Sequence, residues 1–182
     1  MLAYLSMLMK KRRRYAPFSE WPMDKRQKEI HVATHFIRSL EMTGGPKLVH
    51  PRLHDPDPPD VVADLRAGGS FAIEVTELVD GHLVSTREHE SGPPRFWLAG
   101  ELSQTIDQVL TRKDSRPFHG GPYEATLVCI FTGEPLVSLD AATKEVGGTS
   151  FGPYKHVTGA YLLFPYAVTL ERCPLLELTV VA

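Results

Sequence analysis

The chain has 182 residues, the size of one ordinary domain, so two full-sized domains are excluded. Hydrophobic residues at 42% and charged residues at 23% fit a mixed α/β domain and exclude disordered, fibrous and coiled-coil chains. The net charge of −2 is unevenly placed: residues 1–28 hold eight basic and two acidic side chains, the remainder twelve and twenty.

The opening MLAYLSMLM is apolar but far short of the roughly 18–20 residues that span a bilayer. Its basic run, KKRRR at 10–14, follows the apolar stretch instead of preceding it, so neither a membrane span nor an export signal is expected. Met9 offers a second start. Residues 1–17 are expected to be a basic arm, read either as a phosphate-contacting segment or as a solvated tail, and 18–182 a single domain. Cys129 and Cys173 each lie in apolar stretches and read as buried thiols of a reducing, cytoplasmic protein.

From Asp24 to Leu40, Ile30, Ala33, Ile37 and Leu40 recur at helical spacing with Phe36 beside them, and Gly44-Gly45-Pro46 ends the run. KLVHPRL (47–53) predicts an edge strand interrupted by Pro51, and HDPDPPD (54–60) a loop that delivers Asp60. Residues 60–66 and 70–79 predict a hairpin around Gly68-Gly69. After a Gly92-Pro93-Pro94 break, 95–113 place Leu98, Leu102, Ile106, Val109 and Leu110 on one helical face. ATLVCIF (125–131) is the continuous apolar run of a central strand covered on both faces. A short helix around 135–145, a Gly-rich loop at 147–153 and strands at 160–166 and 175–181 complete the chain. The order predicts a mixed sheet with helices packed on it.

A hairpin symmetric about Gly68 sets Leu65 opposite Phe71, Val62 opposite Glu74 and Asp60 opposite Thr76. Strand alternation then puts Asp60, Val62 and Asp64 on one face with Ala72, Glu74 and Thr76. Asp60 and Glu74 become diagonal neighbours about 7–8 Å apart at the backbone, close enough for two carboxylates to converge on one ion. A hard divalent cation, Mg²⁺ or Mn²⁺, relieves their repulsion, and the chemistry this favours is phosphodiester hydrolysis.

Pro59-Asp60 followed by Glu74-Val75-Thr76, in PPDVVADLRAGGSFAIEVTEL, resembles the PD-(D/E)XK nuclease superfamily, whose restriction-endonuclease-like core runs αβββαβ. The predicted elements from about 24 to 132 follow that order, with the C-terminal strands as additions. The resemblance implies metal binding by Asp60, Glu74 and the Val75 carbonyl, with Glu29 on the first helix supporting a second ion or orienting a water. Thr76 departs from the pattern, standing where the family has lysine. Lys28 and Lys113 are the candidates to supply the missing ammonium, and Gln104 is a further polar candidate. The resulting expectation is a Mg²⁺-dependent endonuclease acting on nucleic acid, DNA before RNA, with a homodimer left open. The alternatives are a binding or regulatory module on the same fold without catalysis, and a regulatory protein without metal.

Other groups weigh less. His31 and His35 have the i, i+4 spacing of a transition-metal clamp, but no third ligand is evident. His50 and His54 read as solvated loop residues, and Trp21 and Trp97 as core or capping aromatics. Gly147, Gly148 and Gly152 lack the Lys-Ser/Thr of a phosphate-binding loop.

Overall fold

Asp24 accepts a hydrogen bond from the Gln27 N–H and so caps the first helix, α1 (Lys25–Met42), which buries Val32, Ala33, Phe36, Ile37 and Leu40. The computed structural model describes residues 24–78, 97–134 and 136–181. The basic run at 10–14, Trp21 and the Gly92-Pro93-Pro94 break lie outside them.

Three antiparallel strands follow: β1 (Leu48–Leu53), β2 (Val61–Leu65) and β3 (Ser70–Leu78). Pro51 is tolerated because β1 is an edge strand and its pairing with β2 is irregular between Val49 and Arg52, where His50 takes a positive φ of 50°. The second helix, α2 (Glu101–Asp114), leads into β4 (Ala125–Thr132), and a third, α3 (Leu139–Val146), precedes β5 (Ser150–Phe151), β6 (Gly159–Leu163) and β7 (Leu175–Val180).

The seven strands form one mixed sheet in the order β1-β2-β3-β4-β6-β7-β5. β4 pairs in parallel with both β3 and β6, which accounts for its unbroken apolar run. Val61, Ala63, Ile73, Val75, Leu127 and Cys129 pack against α1 on one face. Leu78, Val128, Ile130, Ala160, Leu162 and Leu178 pack against α2 and α3 on the other. The described residues thus make an α/β architecture of three layers.

Several expectations are corrected. The hairpin register is Val61↔Ile73, Val62↔Ala72, Ala63↔Phe71 and Asp64↔Ser70, two residues away from symmetry about Gly68. Because the slip is even, every side chain keeps its face. Leu98 lies outside α2 and is 64% exposed, since α2 starts at Glu101 after Gly100 at φ 86°. With no side-chain cap of its own there, the start of α2 is held by Glu145 of α3, which accepts from the Gly100 and Leu102 N–H groups. The third helix begins at Leu139, and the expected loop at 147–153 contains β5, which pairs in parallel with β7. Gly152, at φ 117°, lies where a Cβ would come within 2.5 Å of the Val181 carbonyl oxygen.

The C-terminal end of α2 is tied down by Asp114, whose carboxylate accepts from three consecutive N–H groups, Lys155, His156 and Val157. Burial alone raises a carboxyl pKa, but these three backbone donors outweigh it and hold Asp114 below its usual value. A depressed folded pKa contributes stability above the unfolded value of about 3.9, lost as pH falls through the folded one. Asp114→Ala should therefore cost about 1–2 kcal/mol at neutral pH, at the low end because the carboxylate is partly solvated. Urea unfolding across pH should show the gap between wild type and variant closing in acid.

Candidate metal centre

The site forms where β2 and β3 part. Their last backbone pair is Val61↔Ile73, and continuing that register sets Asp60 directly opposite Glu74 instead of diagonal to it. Side chains take over the ladder at this point. The Asp60 N–H donates to Glu74 Oε1 at 3.1 Å, and the Val75 N–H donates to Asp60 Oδ2 at 2.8 Å. Both carboxylates are deeply buried, Asp60 at 6% and Glu74 at 1% exposure.

Lys113, in the last turn of α2, reaches them from the opposite layer. Its Nζ lies 2.5 Å from Glu74 Oε2 and 3.7 Å from Asp60 Oδ2. Lys28 does not come this close: its Nζ is 3.8 Å from Glu77 Oε2, on the cleft wall. Of the two lysines offered in place of Thr76, Lys113 is the one brought to the carboxylates. Thr76 lines the same cleft with its neutral hydroxyl, whereas Gln104 is exposed near the start of α2 and does not line it.

Glu29 arrives from α1 and lines the cleft beside Asp60. Burial and then the Asp60 charge push its carboxyl above the usual range, with Lys25, 3.3 Å away, opposing. Glu74 is pushed up by the same two causes, burial first and Asp60 second, against the pull of Lys113. The Val75 backbone stays beside the carboxylates and its residue lines the cleft.

Asp57 was not among the groups singled out from sequence, yet one carboxylate oxygen each from Asp57, Asp60 and Glu74 lies within 4.8 Å of the others. Its signal was the position three residues before Asp60 in a proline-rich loop. That loop is pinned on two sides: Arg26 donates to Asp55 Oδ1 and Oδ2 at 2.9 and 3.0 Å, and the His119 N–H donates to the Pro58 carbonyl at 2.9 Å. His54 uses its Nδ1 against the Pro56 carbonyl at 3.0 Å and so helps shape the loop. Asp64 takes no part in the site; it pairs with Arg52 at 2.8 Å and with His50 at 3.5 Å on the surface. Trp97 packs on the core and needs no further role.

The donor set fits a hard cation. Asp57, Asp60 and Glu74 offer oxygen alone, the preference of Mg²⁺ and Mn²⁺. Around them four carboxylates, with Glu29 as the fourth, meet two ammonium groups in ion-pair contact, Lys25 and Lys113, an excess of acidic groups that favours a cation. The cluster opens into a cleft of about 550 Å³ that Lys28, Arg112 and Arg116 also line.

Comparison with known proteins finds no family model, no characterised protein and no solved structure that matches this chain. Among the described residues no helix is long and apolar enough to cross a membrane.

Removing the Lys113 charge strands two buried carboxylates. Lys113→Met should cost about 3–5 kcal/mol, the usual penalty for breaking a buried pair from one side. Adding Glu74→Gln should recover much of that loss, because the stranded charge goes with it. A double-mutant cycle by denaturant unfolding measures the coupling; additive losses would mean that Lys113 and Glu74 do not act as a pair.

Proposed function

We propose that the chain is a divalent-metal-dependent phosphodiester hydrolase, a nuclease acting on DNA in preference to RNA, built on a restriction-endonuclease-like core. The observation that carries the reading is the convergence of Asp57, Asp60 and Glu74 with the Lys113 ammonium among them. The order α1 β1 β2 β3 α2 β4 supports it, since it repeats the αβββαβ sequence of that core.

Asp60 and Glu74, helped by Asp57 and the Val75 carbonyl, would hold the ion, which supplies Lewis acidity toward the phosphodiester. Lys113 takes the part that Thr76 cannot, presenting a fixed positive charge to the phosphoryl oxygens as negative charge grows on them. Glu29, beside Asp60 on the cleft wall, would support a second ion or orient a water. Lys28, Arg112 and Arg116 offer the cleft's phosphate contacts, Arg in a fixed fork and Lys as a point charge. The neutral Thr76 and the salt bridge at Glu74 also suit an inert nucleic-acid-binding module on the same fold, and the assay for cleavage separates the two readings.

Mg²⁺ or Mn²⁺ should raise the melting temperature of the wild type with concentration, as mass action requires of a ligand that binds only the folded state. Asp60→Asn and Glu74→Gln should abolish that response while keeping the shapes of the side chains. In a cleavage assay with duplex DNA, Lys113→Met should lower the rate by about 10²–10³, the typical worth of one donor aimed at a developing oxyanion. A metal response without cleavage selects the binding module. No metal response in any variant removes both the ion and the hydrolase.

The basic run at 10–14 should add sequence-independent affinity, because each neutralised phosphate releases condensed counterions. Deleting residues 1–14 should flatten the dependence of log K on log salt by up to about 4.5, at roughly 0.9 per contact. An unchanged slope in fluorescence anisotropy titrations would make the run a solubility tail.

A further inference from the structure

His31 and His35 stand one turn apart on α1, and the hydrolytic reading uses neither. Their ring centroids are 5.1 Å apart with the planes tilted by 52°. The structure brings up the third group that the sequence lacked. Cys173, on the segment leading into β7, sets its Sγ 3.9 Å from Nδ1 of His35, across 138 positions of sequence.

These separations are close to those that one tetrahedral ion imposes on its ligands. With Zn–S of about 2.3 Å and Zn–N of about 2.0–2.1 Å, a thiolate sulfur and an imidazole nitrogen on one ion lie about 3.6 Å apart. Two imidazoles on the same ion have centroids about 5.2 Å apart, from the same bond lengths plus the ring radius. Cys173 and His35 are thus nearly in place. His31 is exposed on the outer side and does not yet converge with the other two, so it would have to turn about its side-chain bonds to complete the set.

We propose that Cys173, His35 and His31 form a binding site for a thiophilic transition-metal ion of the Zn²⁺ class, separate from the carboxylate cluster and joining α1 to the segment before β7. Thiolate and imidazole donors select such ions over Mg²⁺, so the two sites would not compete for one metal. Imidazole ligates such an ion in its neutral form. The sulfur ligates as thiolate, so binding would release the Cys173 thiol proton to solvent as the S–metal bond forms. Because α1 also carries Glu29, an ion here would fasten that helix to the sheet.

Co²⁺ titration of the full chain, purified free of metal under reducing conditions, tests the site. The wild type should show thiolate-to-cobalt charge-transfer absorption and the visible bands of a tetrahedral ion, with one proton released per ion, and Zn²⁺ should displace the cobalt. Cys173→Ser should lose the charge-transfer band. His35→Ala should weaken binding by at least about 10–100-fold, the loss that follows removal of even an outer-shell partner. The exposed variant His31→Ala disturbs no core packing and should weaken binding as well. Glu74→Gln should leave the band in place, which keeps this result independent of the hydrolase reading. A wild-type spectrum with no thiolate band, or one that His31→Ala and His35→Ala leave unchanged, overturns the site and reduces the three groups to a packed thiol–imidazole contact.

Discussion

Two hydrogen bonds decide how the sheet ends. At Asp60 and Glu74 the backbone ladder between β2 and β3 stops, and each residue's side chain takes a donor from the opposite strand: Glu74 accepts from the Asp60 N–H and Asp60 from the Val75 N–H. A buried N–H without a partner costs about 1–3 kcal/mol, so this exchange lets the strands diverge without penalty. It also fixes both carboxylates, Asp60 lining the cleft and Glu74 buried next to it. The fold and the candidate site therefore rest on the same atoms. Neutral amides at 60 and 74 keep acceptor oxygens for these bonds and remove only the charge.

Buried charges of one sign need an opposing charge held in place, and the surroundings of the cleft supply it through fixed attachments. Lys113 sits one residue before Asp114, whose three backbone hydrogen bonds anchor the end of α2 to residues 155–157. Tyr154 adds a second tie by donating its hydroxyl to Asp107, also on α2. On the other side, Arg26 and His119 hold the loop that carries Asp57 and Asp60. Positions set by packing and by second-layer hydrogen bonds lose little entropy when a ligand binds.

The sequence made one part of this legible through parity. A register placed two residues off still put Asp60 and Glu74 on the same face, because strand faces repeat every second residue. An error of one residue would have sent Glu74 to the α1 side and dissolved the site. Helical and strand periods located α1, β4 and most of α2, whereas Leu98 was misplaced because an apolar residue before a helix has the same spacing as one inside it. Contacts between distant segments carried no local signal. The choice of Lys113 over Lys28 depends on how two helices lie across opposite faces of the sheet. The approach of Cys173 to His35 depends on where β7 returns beside α1. Asp57 was hidden differently, in a proline-rich loop whose composition announces a turn and says nothing about where its carboxylate points.

Thr76 gains its meaning from this geometry. A lysine at 76 would rise from β3 on the same face as Glu74, two residues along, and would meet an ammonium that Lys113 already delivers from α2. Two ammonium groups against Asp60 and Glu74 would match that pair's charge and reduce the excess of carboxylates over ammonium groups that attracts a divalent ion. A neutral residue at 76 leaves that excess in place beside Lys113. A lysine at 76 and the helix lysine at 113 would thus compete for the same carboxylate, and Thr76 leaves Glu74 Oε2 to Lys113.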